Sequence, residues 1–477
     1  MNNFPSALKF GTDGWRGIIG KEFTEENVFQ LGTALGNFLR KYEHFPSFLQ
    51  NVVVVGYDCR FGSERFARVM AQALSSQGVD VILSDTFCPT PALSFAVVQL
   101  KCKAGVMVTA SHNPPIYNGV KIRWYHGGVV SDSLASEMLV FPEPVVSADL
   151  PRGSLFKSPL SFDYLEQVKS FVSRELFHKL SLALVVDYMH GSLAGYAEKL
   201  FSSSSIHLTV MRSKREPLFG GNAPEPLEAN LAELKRTVLQ TRADLGVAFD
   251  GDGDRIALVD AEGNYFSVQE LLPMLLEHVH KNRGWTLPVG KTYPTSLWVN
   301  RVAQALGVPV METRVGFKHL SELLREQKVC IAGEESGGIG FSSHIPERDA
   351  LLSLLLYLEK LYYEGVLPVQ SRKQFREKYG PLFYHRLDIS LSERAMHHFL
   401  SHSEKTLQKW VEMLGIQKVY SDDGWKGIIN NQEWVMIRPS GTEPVIRVYA
   451  ESPTREKTLR LIEITRKIFL AEHNDGG

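Results

Sequence analysis

Three aspartates alternate with glycine in the string DGDGDR, which follows the apolar run Leu245–Phe249. Residues two apart in an extended chain point to the same side, so Asp250, Asp252 and Asp254 would bring three carboxylates together. Such charges repel one another unless a cation lies among them, and all-oxygen ligands favour Mg²⁺ or Ca²⁺ over zinc. An EF-hand is excluded, because its sixth and twelfth positions would hold arginine and alanine. The string predicts a metal site, with a solvated acidic turn as the alternative.

A serine stands beside a histidine in the string TASHNPP, residues 109–115, which follows the apolar run Ala104–Val108. A serine hydroxyl is a weak nucleophile that needs a neighbouring group to activate it, and His112 and Lys121 are candidates. The two prolines restrict the loop and reduce the entropy lost in holding Ser111 in place. The string predicts a nucleophile on a rigid loop or, alternatively, a surface turn whose Ser and Asn cap the local backbone.

Carboxylates and a hydroxyl lie among glycines in the string GEESGGIGF, which follows the run Val329–Ala332. Glu334 and Ser336 offer the acceptors and the donor that a polyhydroxylated ligand such as a sugar requires. The string HIPERD comes next and adds His344 and Arg348 as candidate ligand contacts. A flexible glycine-rich turn is the alternative interpretation.

The string RPSGTEPVIR lies between two apolar runs near the C-terminus. The hydroxyls of Ser440 and Thr442 and the backbone N–H groups near Gly441 could form a cradle for an oxyanion. Arg438 and Arg447 add planar guanidinium groups that match phosphate oxygens. The pattern is not a Walker loop, and a hairpin turn with surface arginines is the alternative.

These strings together describe phosphoryl transfer on a phosphorylated polyol. A serine nucleophile, an oxygen-ligated metal, a sugar-binding loop and a phosphate cradle are the parts that such chemistry needs. Arg16, in the string FGTDGWRG, is a further cation that could reach an anion.

The elements that must position these strings alternate between helix and strand. Residues 25–42 and 63–77 show helical spacing of apolar side chains, and the valine run Asn51–Asp58 indicates a buried parallel strand. This alternation predicts α/β domains whose sheets are covered by helices, and ligands in such sheets bind beyond the carboxyl ends of the strands. Breaks rich in polar residues, proline or glycine predict four domains over residues 1–148, 149–260, 261–371 and 372–477.

Composition excludes several other classes of protein. The 52 basic and 53 acidic residues nearly cancel, so no nucleic acid is expected as a partner. Four cysteines without CxxC spacing exclude a zinc or thioredoxin motif and fit a reducing compartment. The N-terminus lacks the pattern of a secretory signal and no apolar run is long enough to span a membrane. We expect a soluble cytoplasmic monomer or dimer that acts on small molecules.

The strings, in this order from residue 10 to residue 447, resemble those of the α-D-phosphohexomutase superfamily, and most of all a phosphoglucomutase. The resemblance covers nearly the whole chain, and the co-occurrence of its motifs is highly specific. It implies three similar α/β domains with mixed sheets and a smaller C-terminal α+β domain around a central cleft, each domain contributing one loop.

The resemblance also implies roles for individual residues. Ser111 would be a phosphoserine, and one of its phosphate oxygens would complete a single Mg²⁺ site with Asp250, Asp252 and Asp254. A hexose 1,6-bisphosphate would be both intermediate and activator. The residues that act at the transferring group would be His112, Lys121, Arg16 and Arg255. The residues that bind hexose phosphate substrates would be Glu334, Ser336, His344, Arg348, Lys318, Arg438, Ser440, Gly441, Thr442 and Arg447.

The sugar-binding string bears on the substrate. GEESGG resembles the glucose-type mutases, whereas phosphomannomutases usually read GEMSGH and phosphoglucosamine mutases GEQSGH, with histidine where this chain has Gly338. RPSGTEP, by contrast, also occurs in the glucosamine type. We expect conversion of glucose 1-phosphate to glucose 6-phosphate, with mannose phosphates as a second activity or a phosphomannomutase or phosphoglucosamine mutase as the alternative.

Two other interpretations of the same strings stay open. The string DGDGD could belong to a haloacid-dehalogenase-type phosphatase with Asp250 as nucleophile and Asp252 as acid/base, although Asp254 stands where that motif has Thr or Val. A sugar-phosphate sensor without catalysis is the third interpretation.

Overall fold

The computed structural model describes residues 10–11, 13–139, 151–392, 396, 399, 404–440 and 445–470. These residues form four β-sheets in succession along the chain, each accompanied by helices. The predicted α/β class, with mixed sheets in three domains and a smaller C-terminal domain, is confirmed.

The first sheet is mixed. Its strands are Phe10–Gly11 (β1), Gly14–Ile18 (β2), Gln50–Tyr57 (β3), Asp80–Ser84 (β4), Cys102–Val108 (β5), Tyr117–Trp124 (β6) and Leu155–Ser158 (β7). Its helices are Glu25–Lys41 (α1), Ser63–Ser76 (α2), Thr90–Gln99 (α3) and Asp132–Leu139 (α4). The order is β1-β2-β6-β5-β3-β4-β7, and the buried valine run of β3 lies between two parallel neighbours, as predicted. The loop after β5 carries Ser111.

The second sheet positions the aspartates. Its strands are Leu182–Asp187 (β8), Ile206–Met211 (β9), Leu245–Phe249 (β10), Ile256–Asp260 (β11) and Tyr265–Phe266 (β12). Its helices are Ser161–Ser170 (α5), Arg174–Lys179 (α6), Tyr196–Leu200 (α7) and Ala232–Thr241 (α8). In the order β12-β11-β10-β8-β9, the strand β10 runs parallel to β8 and antiparallel to β11. The string DGDGDR is therefore the tight turn from β10 to β11.

The third sheet has four strands among the described residues. They are Val289–Thr292 (β13), Val310–Thr313 (β14), Ile331–Gly333 (β15) and Ile339–Phe341 (β16). The helices are Val268–Arg283 (α9), Leu297–Leu306 (α10), Phe317–Arg325 (α11), Ala350–Glu364 (α12) and Pro368–Tyr379 (α13). The order is β14-β13-β15-β16, and the antiparallel pair β15/β16 is joined by the turn that carries Glu334 and Ser336.

The fourth sheet is antiparallel throughout. Its strands are Phe383–Ser390 (β17), Lys418–Tyr420 (β18), Trp425–Asn430 (β19), Glu433–Pro439 (β20) and Val445–Ser452 (β21), in the order β17-β21-β20-β19-β18. Its helices are Glu404–Leu414 (α14) and Arg455–Leu470 (α15). The RPSGTEPVIR string begins at the end of β20 and finishes at the start of β21, and these two strands are neighbours in the sheet.

The domain limits predicted at residues 148 and 260 each fall before the last element of a structural unit, and the limit predicted at 371 falls inside the helix α13. The strand β7 pairs with β4 of the first sheet, and β12 pairs with β11 of the second. The helix α13 packs on α10 through the rings of Phe375 and Trp298, whose centroids are 5.8 Å apart. Breaks in composition mark polar loops, but they do not show that a later strand or helix still packs on the same unit. We therefore propose that the domains end after Ser158, Phe266 and Tyr379.

A charge cluster of one partly exposed glutamate and two buried lysines joins the third sheet to the fourth. The Glu312 carboxylate of β14 lies 3.2 Å from the ammonium of Lys291 on β13 and 3.2 Å from that of Lys426 on β19. The Lys426 ammonium also lies over the rings of Tyr293 and Trp434. Burial acts to raise the pKa of Glu312, but the two lysines outweigh it and lower the pKa to about 2. The fourth domain is thus held partly by one shared carboxylate.

Replacement of Glu312 by glutamine should lower the free energy of unfolding by about 1–2 kcal/mol, because the buried ammonium groups of Lys291 and Lys426 then lose the carboxylate that they share, and the partial exposure of that carboxylate limits the loss. Urea unfolding followed by intrinsic fluorescence would measure this loss. A carboxyl group with a lowered pKa stabilises the fold above its ordinary value of 4.5, and this contribution is lost as pH falls toward about 2. The two proteins should therefore converge over that range. Glu322→Gln, which removes an exposed ion pair on α11, is the control and should change little.

Candidate active site

Ser111 lies just beyond the end of β5 in an unusual backbone conformation. Its φ of +52° is in the left-handed region, and its side chain is buried. The Ser111 hydroxyl donates a hydrogen bond of 2.9 Å to Asp250 Oδ2 and lies 3.3 Å from Nδ1 of His112. The first and second sheets therefore meet at this hydroxyl.

A buried arginine that the sequence interpretation missed fixes the serine loop. The Arg60 guanidinium donates to four backbone carbonyl oxygens of that loop, at 2.6–3.1 Å, those of Ser111, Asn113, Pro114 and Tyr117. Asp58 pairs with Arg60 at 3.2 Å and also accepts hydrogen bonds from Thr109 and Ser63. The sequence did contain a signal for this arginine, since Asp58 and Arg60 directly follow the valine strand in the string DCR. The serine loop is therefore held by the Asp58–Arg60 pair as well as by its prolines.

The three aspartates form a compact group of fully buried carboxylates. Their potential ligand oxygens all lie within 4.8 Å of one another. Asp250 Oδ1 accepts hydrogen bonds from two backbone N–H groups of its own turn. Asp252 Oδ1 and Asp254 Oδ1 are buried and have no hydrogen-bond partner among the described residues. Buried carboxylate oxygens without donors, converging on one point, fit a divalent cation such as Mg²⁺.

Lys121 reaches this group from β6. Its ammonium lies 2.7 Å from Asp252 Oδ2, 2.7 Å from Asp254 Oδ2 and 3.2 Å from Asp13 Oδ2. Burial acts to lower the pKa of Lys121, but Asp13, Asp252 and Asp254 outweigh it and raise that pKa. The lysine is therefore held in its charged form. Asp13 was missed because the Asp-Gly pair of FGTDGWRG indicated only a turn.

His112, Arg16 and Arg255 bring further polar groups to the serine loop. Burial, and then the positive charges of Arg255 and Arg16, hold the pKa of His112 well below its ordinary value, so the ring is neutral. The Arg16 guanidinium donates to Asn113 Oδ1 at 2.6 Å, and that of Arg255 donates to Glu225 Oε1 at 3.2 Å. The two guanidinium groups thus act on the imidazole that lies beside the serine hydroxyl.

The sugar-loop prediction brings Glu334, Ser336 and Arg348 into one hydrogen-bonded group. Glu334 Oε1 accepts from Ser336 Oγ at 2.9 Å and from Arg348 Nη1 at 3.0 Å. The Arg348 guanidinium also lies 2.7 Å from Asp254 Oδ2 and contacts Asp13. This arginine therefore links the sugar loop to the aspartate cluster.

The predicted phosphate loop lies between the antiparallel neighbours β20 and β21. Arg438 and Arg447 are direct cross-strand partners beside that loop. Arg438 pairs with Asp423 at 3.2 Å and Arg447 lies 3.5 Å from Asp388. The Ser440 N–H donates to the carbonyl of Val445. Gly441 and Thr442 lie outside the described residues.

His344 and Lys318 are placed apart from the aspartate cluster. The His344 imidazole lies 3.1 Å from Asp349 Oδ2 and stacks on Phe95, with Tyr164 and Phe171 nearby. The Lys318 ammonium pairs with Asp132 at 2.5 Å across the first and third domains. These contacts join domains, and a substrate role for either residue stays a prediction.

The fold and the site are together those of a phosphohexomutase, a class of isomerase, with a buried serine next to three aspartates that could hold a cation. Within the described residues, no helix is both long and apolar enough to cross a membrane. The predicted cytoplasmic location stays a prediction.

This chain belongs to the phosphoglucomutase/phosphomannomutase family. Residues 7–139, 162–263 and 268–379 match its alpha/beta/alpha domains I, II and III, and residues 401–468 match its C-terminal domain. This family assignment leaves the phosphatase interpretation of Asp250 without support.

Similar proteins carry different substrate names. A phosphoglucomutase/phosphomannomutase of Thermococcus kodakarensis is 30% identical over 96% of this chain and 98% of its own. A phosphoglucosamine/phosphogalactosamine mutase of Sulfurisphaera tokodaii is 28% identical over 96% and 98%. A solved structure from Thermus thermophilus, described as a phosphomannomutase, is 30% identical and superposes with a TM-score of 0.84 over 97% of this chain and 99% of that one. The phosphohexomutase class is common to all three, and the sugar is not.

Proposed function

We propose that this protein interconverts α-D-hexose 1-phosphates and hexose 6-phosphates through a phosphorylated Ser111, with glucose as the preferred sugar. The observation that carries the proposal is the contact between the buried Ser111 hydroxyl and Asp250, at 2.9 Å, where two domains meet. A serine that only capped its own loop would not need three buried carboxylates from another domain.

The group transfer conserves phosphate. The phosphoryl group on Ser111 Oγ passes to the 6-hydroxyl oxygen of a hexose 1-phosphate; that hydroxyl loses its proton, Ser111 Oγ gains one, and the product is a hexose 1,6-bisphosphate. The phosphoryl group at position 1 then passes to Ser111 Oγ, which gives up its proton while the O1 oxygen of the sugar gains one, and the hexose 6-phosphate is left. His112 lies 3.3 Å from Ser111 Oγ and is placed to exchange a proton there. Lys121 supplies positive charge at the same point.

Asp250, Asp252 and Asp254, together with an oxygen on Ser111, would hold Mg²⁺. When bound there, the cation would neutralise negative charge on the phosphoryl group in transfer. The unpartnered Oδ1 atoms of Asp252 and Asp254 support this assignment.

The other phosphate of the substrate would be bound by Arg438, Arg447 and the connection between them. Glu334 and Ser336 would contact the sugar hydroxyls. Because the bisphosphate must change its orientation between the two transfers, each of its phosphates must fit both the serine site and the arginine pair. Such an exchange needs a ligand with a phosphate at each end of the ring, as a hexose bisphosphate has.

Glucosamine 1-phosphate is the second candidate substrate. The GEESGG string supports glucose, but curated relatives over the full chain include a phosphoglucosamine/phosphogalactosamine mutase. Mannose 1-phosphate is a third, since relatives are also named as phosphomannomutases.

A coupled assay with Mg²⁺ and a trace of glucose 1,6-bisphosphate tests the proposal. Glucose, mannose and glucosamine 1-phosphates are compared at equal concentrations. Highest kcat/KM with the glucose ester would support the full proposal. Highest kcat/KM with another ester would keep the mechanism and overturn the sugar. No conversion of any ester would overturn the mutase proposal, and ligand binding without turnover would then support the sensor interpretation.

Replacement of Arg60 by lysine should lower kcat roughly 10- to 100-fold, because a single ammonium cannot span four carbonyl oxygens and the serine hydroxyl then loses its position. The same coupled assay measures this change, with circular dichroism to check the fold. Arg68→Lys, at an exposed ion pair with Glu64 in the same domain, is the matched control. An Arg60→Lys protein as fast as this control would show that the loop needs no such support.

A further inference from the structure

The Arg348 side chain occupies the space that a side chain at position 338, in the sugar loop, would need. A Cβ atom added to Gly338 would lie 2.2 Å from Cδ and 2.7 Å from Cγ of Arg348, but 3.5 Å from its Cβ. Gly338 does not have a positive φ, so its backbone would accept alanine. The three atoms nearest to that added Cβ all belong to the Arg348 side chain.

Arg348 cannot move away through its backbone. It forms an antiparallel bridge with Gly340 of β16, and the next N–H, that of Asp349, donates to Ile339 at 2.8 Å. Its guanidinium also lies over the ring of Phe317, with 5.2 Å to the ring centroid. A side chain at position 338 would therefore have to displace the Arg348 side chain.

The position of Arg348 decides how Glu334 is presented. Glu334 Oε1 is occupied by Arg348 and Ser336, whereas Oε2 receives no hydrogen bond from the described protein residues. Because Glu334 Oε1 accepts two hydrogen bonds, the carboxylate is fixed and Oε2 can accept a hydrogen bond from one direction only. Because the same guanidinium contacts Asp254, this acceptor is fixed relative to the aspartate cluster.

We propose that Gly338 and Arg348 act as one positioning unit, in which the absence of a side chain at 338 lets Arg348 anchor Glu334 Oε1 and aim Oε2 at a ring hydroxyl of the sugar. This inference rests on the proposed function and deepens it. Arg348 acts through Glu334 and is a positioning residue. A contact with a sugar hydroxyl persists from the bound state to the transition state, so loss of the unit should raise KM more than it lowers kcat.

Kinetics of a double-mutant cycle test the unit. Gly338→Ala should raise KM roughly 10-fold, a larger factor than its effect on kcat, because its methyl group displaces the guanidinium. In an Arg348→Ala background, where Cγ and Cδ are gone, Gly338→Ala should change KM less than about 2-fold. In an Arg348→Lys background both atoms remain, so Gly338→Ala should still raise KM several-fold.

Gly337→Ala is the matched control. Gly337 has a φ of +107° and faces the carbonyl of Ile256, so alanine is strained there for reasons unconnected with Arg348. Its effect should persist in the Arg348→Ala background. Rescue of both glycine variants by Arg348→Ala would overturn the steric unit, as would a fall in kcat at constant KM for Gly338→Ala.

A crystal structure of Gly338→Ala separates this inference from the proposed function. It needs neither turnover nor a folded Arg348→Ala protein. Displacement of the guanidinium from Glu334 is the expected result even if no hexose phosphate reacts. If Arg348 stays within hydrogen-bond distance of Glu334 beside the new methyl group, the inference is wrong.

Discussion

Replacement of Ser111 by alanine should lower kcat/KM for the preferred hexose 1-phosphate by roughly 1,000-fold or more, because no other hydroxyl can carry the phosphoryl group between the two positions of the sugar. Arg60 holds the loop through backbone carbonyl oxygens and not through the serine hydroxyl, so the fold should change little. The coupled assay measures the loss, and the melting temperature checks that the protein is intact.

Ser94 provides a matched control for Ser111. It is also a buried serine of the first domain, in α3, and its hydroxyl has no hydrogen-bond partner among the described residues. Ser94→Ala should keep full activity.

Treatment of the phosphorylated protein with hydroxylamine tests separately which residue carries the phosphoryl group. A phosphoserine resists hydroxylamine, whereas an aspartyl phosphate does not. Phosphate label on Asp250, or an active Ser111→Ala protein, would contradict the serine mechanism.

Replacement of Asp252 by asparagine should weaken binding of a divalent cation by roughly 100-fold and reduce kcat/KM by a similar or larger factor. The amide removes one negative charge from the cluster and turns either an N–H donor or a neutral oxygen toward the ion. Binding of Mn²⁺, measured directly by electron paramagnetic resonance, reports the site without any need for turnover.

The control for Asp252 is Glu262→Gln, which makes the same change in charge on an exposed residue of the same domain. It should bind Mn²⁺ as the unaltered protein does. An Asp252→Asn protein with unchanged Mn²⁺ affinity would show that the aspartates have a structural and not a ligating role.

Much of the fold follows from local patterns. The apolar run Leu245–Phe249 is a strand with the predicted limits, because a short apolar segment bounded by polar turns suits a buried strand. The limits of the domains do not follow in the same way. β7 and β12 return to sheets formed earlier in the chain, and such pairing depends on contacts between distant residues.

The candidate site divides in a similar way. Ser111, Asp250, Asp252, Asp254 and Lys121 meet as their strings predicted, because each lies on a strand or in the turn that follows one. Asp13 and Arg60 were missed because their importance lies in partners far along the chain. For His344 the string predicted a ligand role, which stays a prediction, and the structure shows its ring beside three aromatic side chains.

Ser111 is buried, its loop is tied to Arg60 through four carbonyl oxygens, and its hydroxyl is turned toward another domain. A protein kinase must receive its target serine on an extended, accessible segment, and this loop could become one only by local unfolding. Under the proposed mechanism, the first phosphate on Ser111 would therefore have to come from a molecule small enough to reach this buried hydroxyl. Activation of the protein would then depend on the supply of a metabolite and not on a protein kinase.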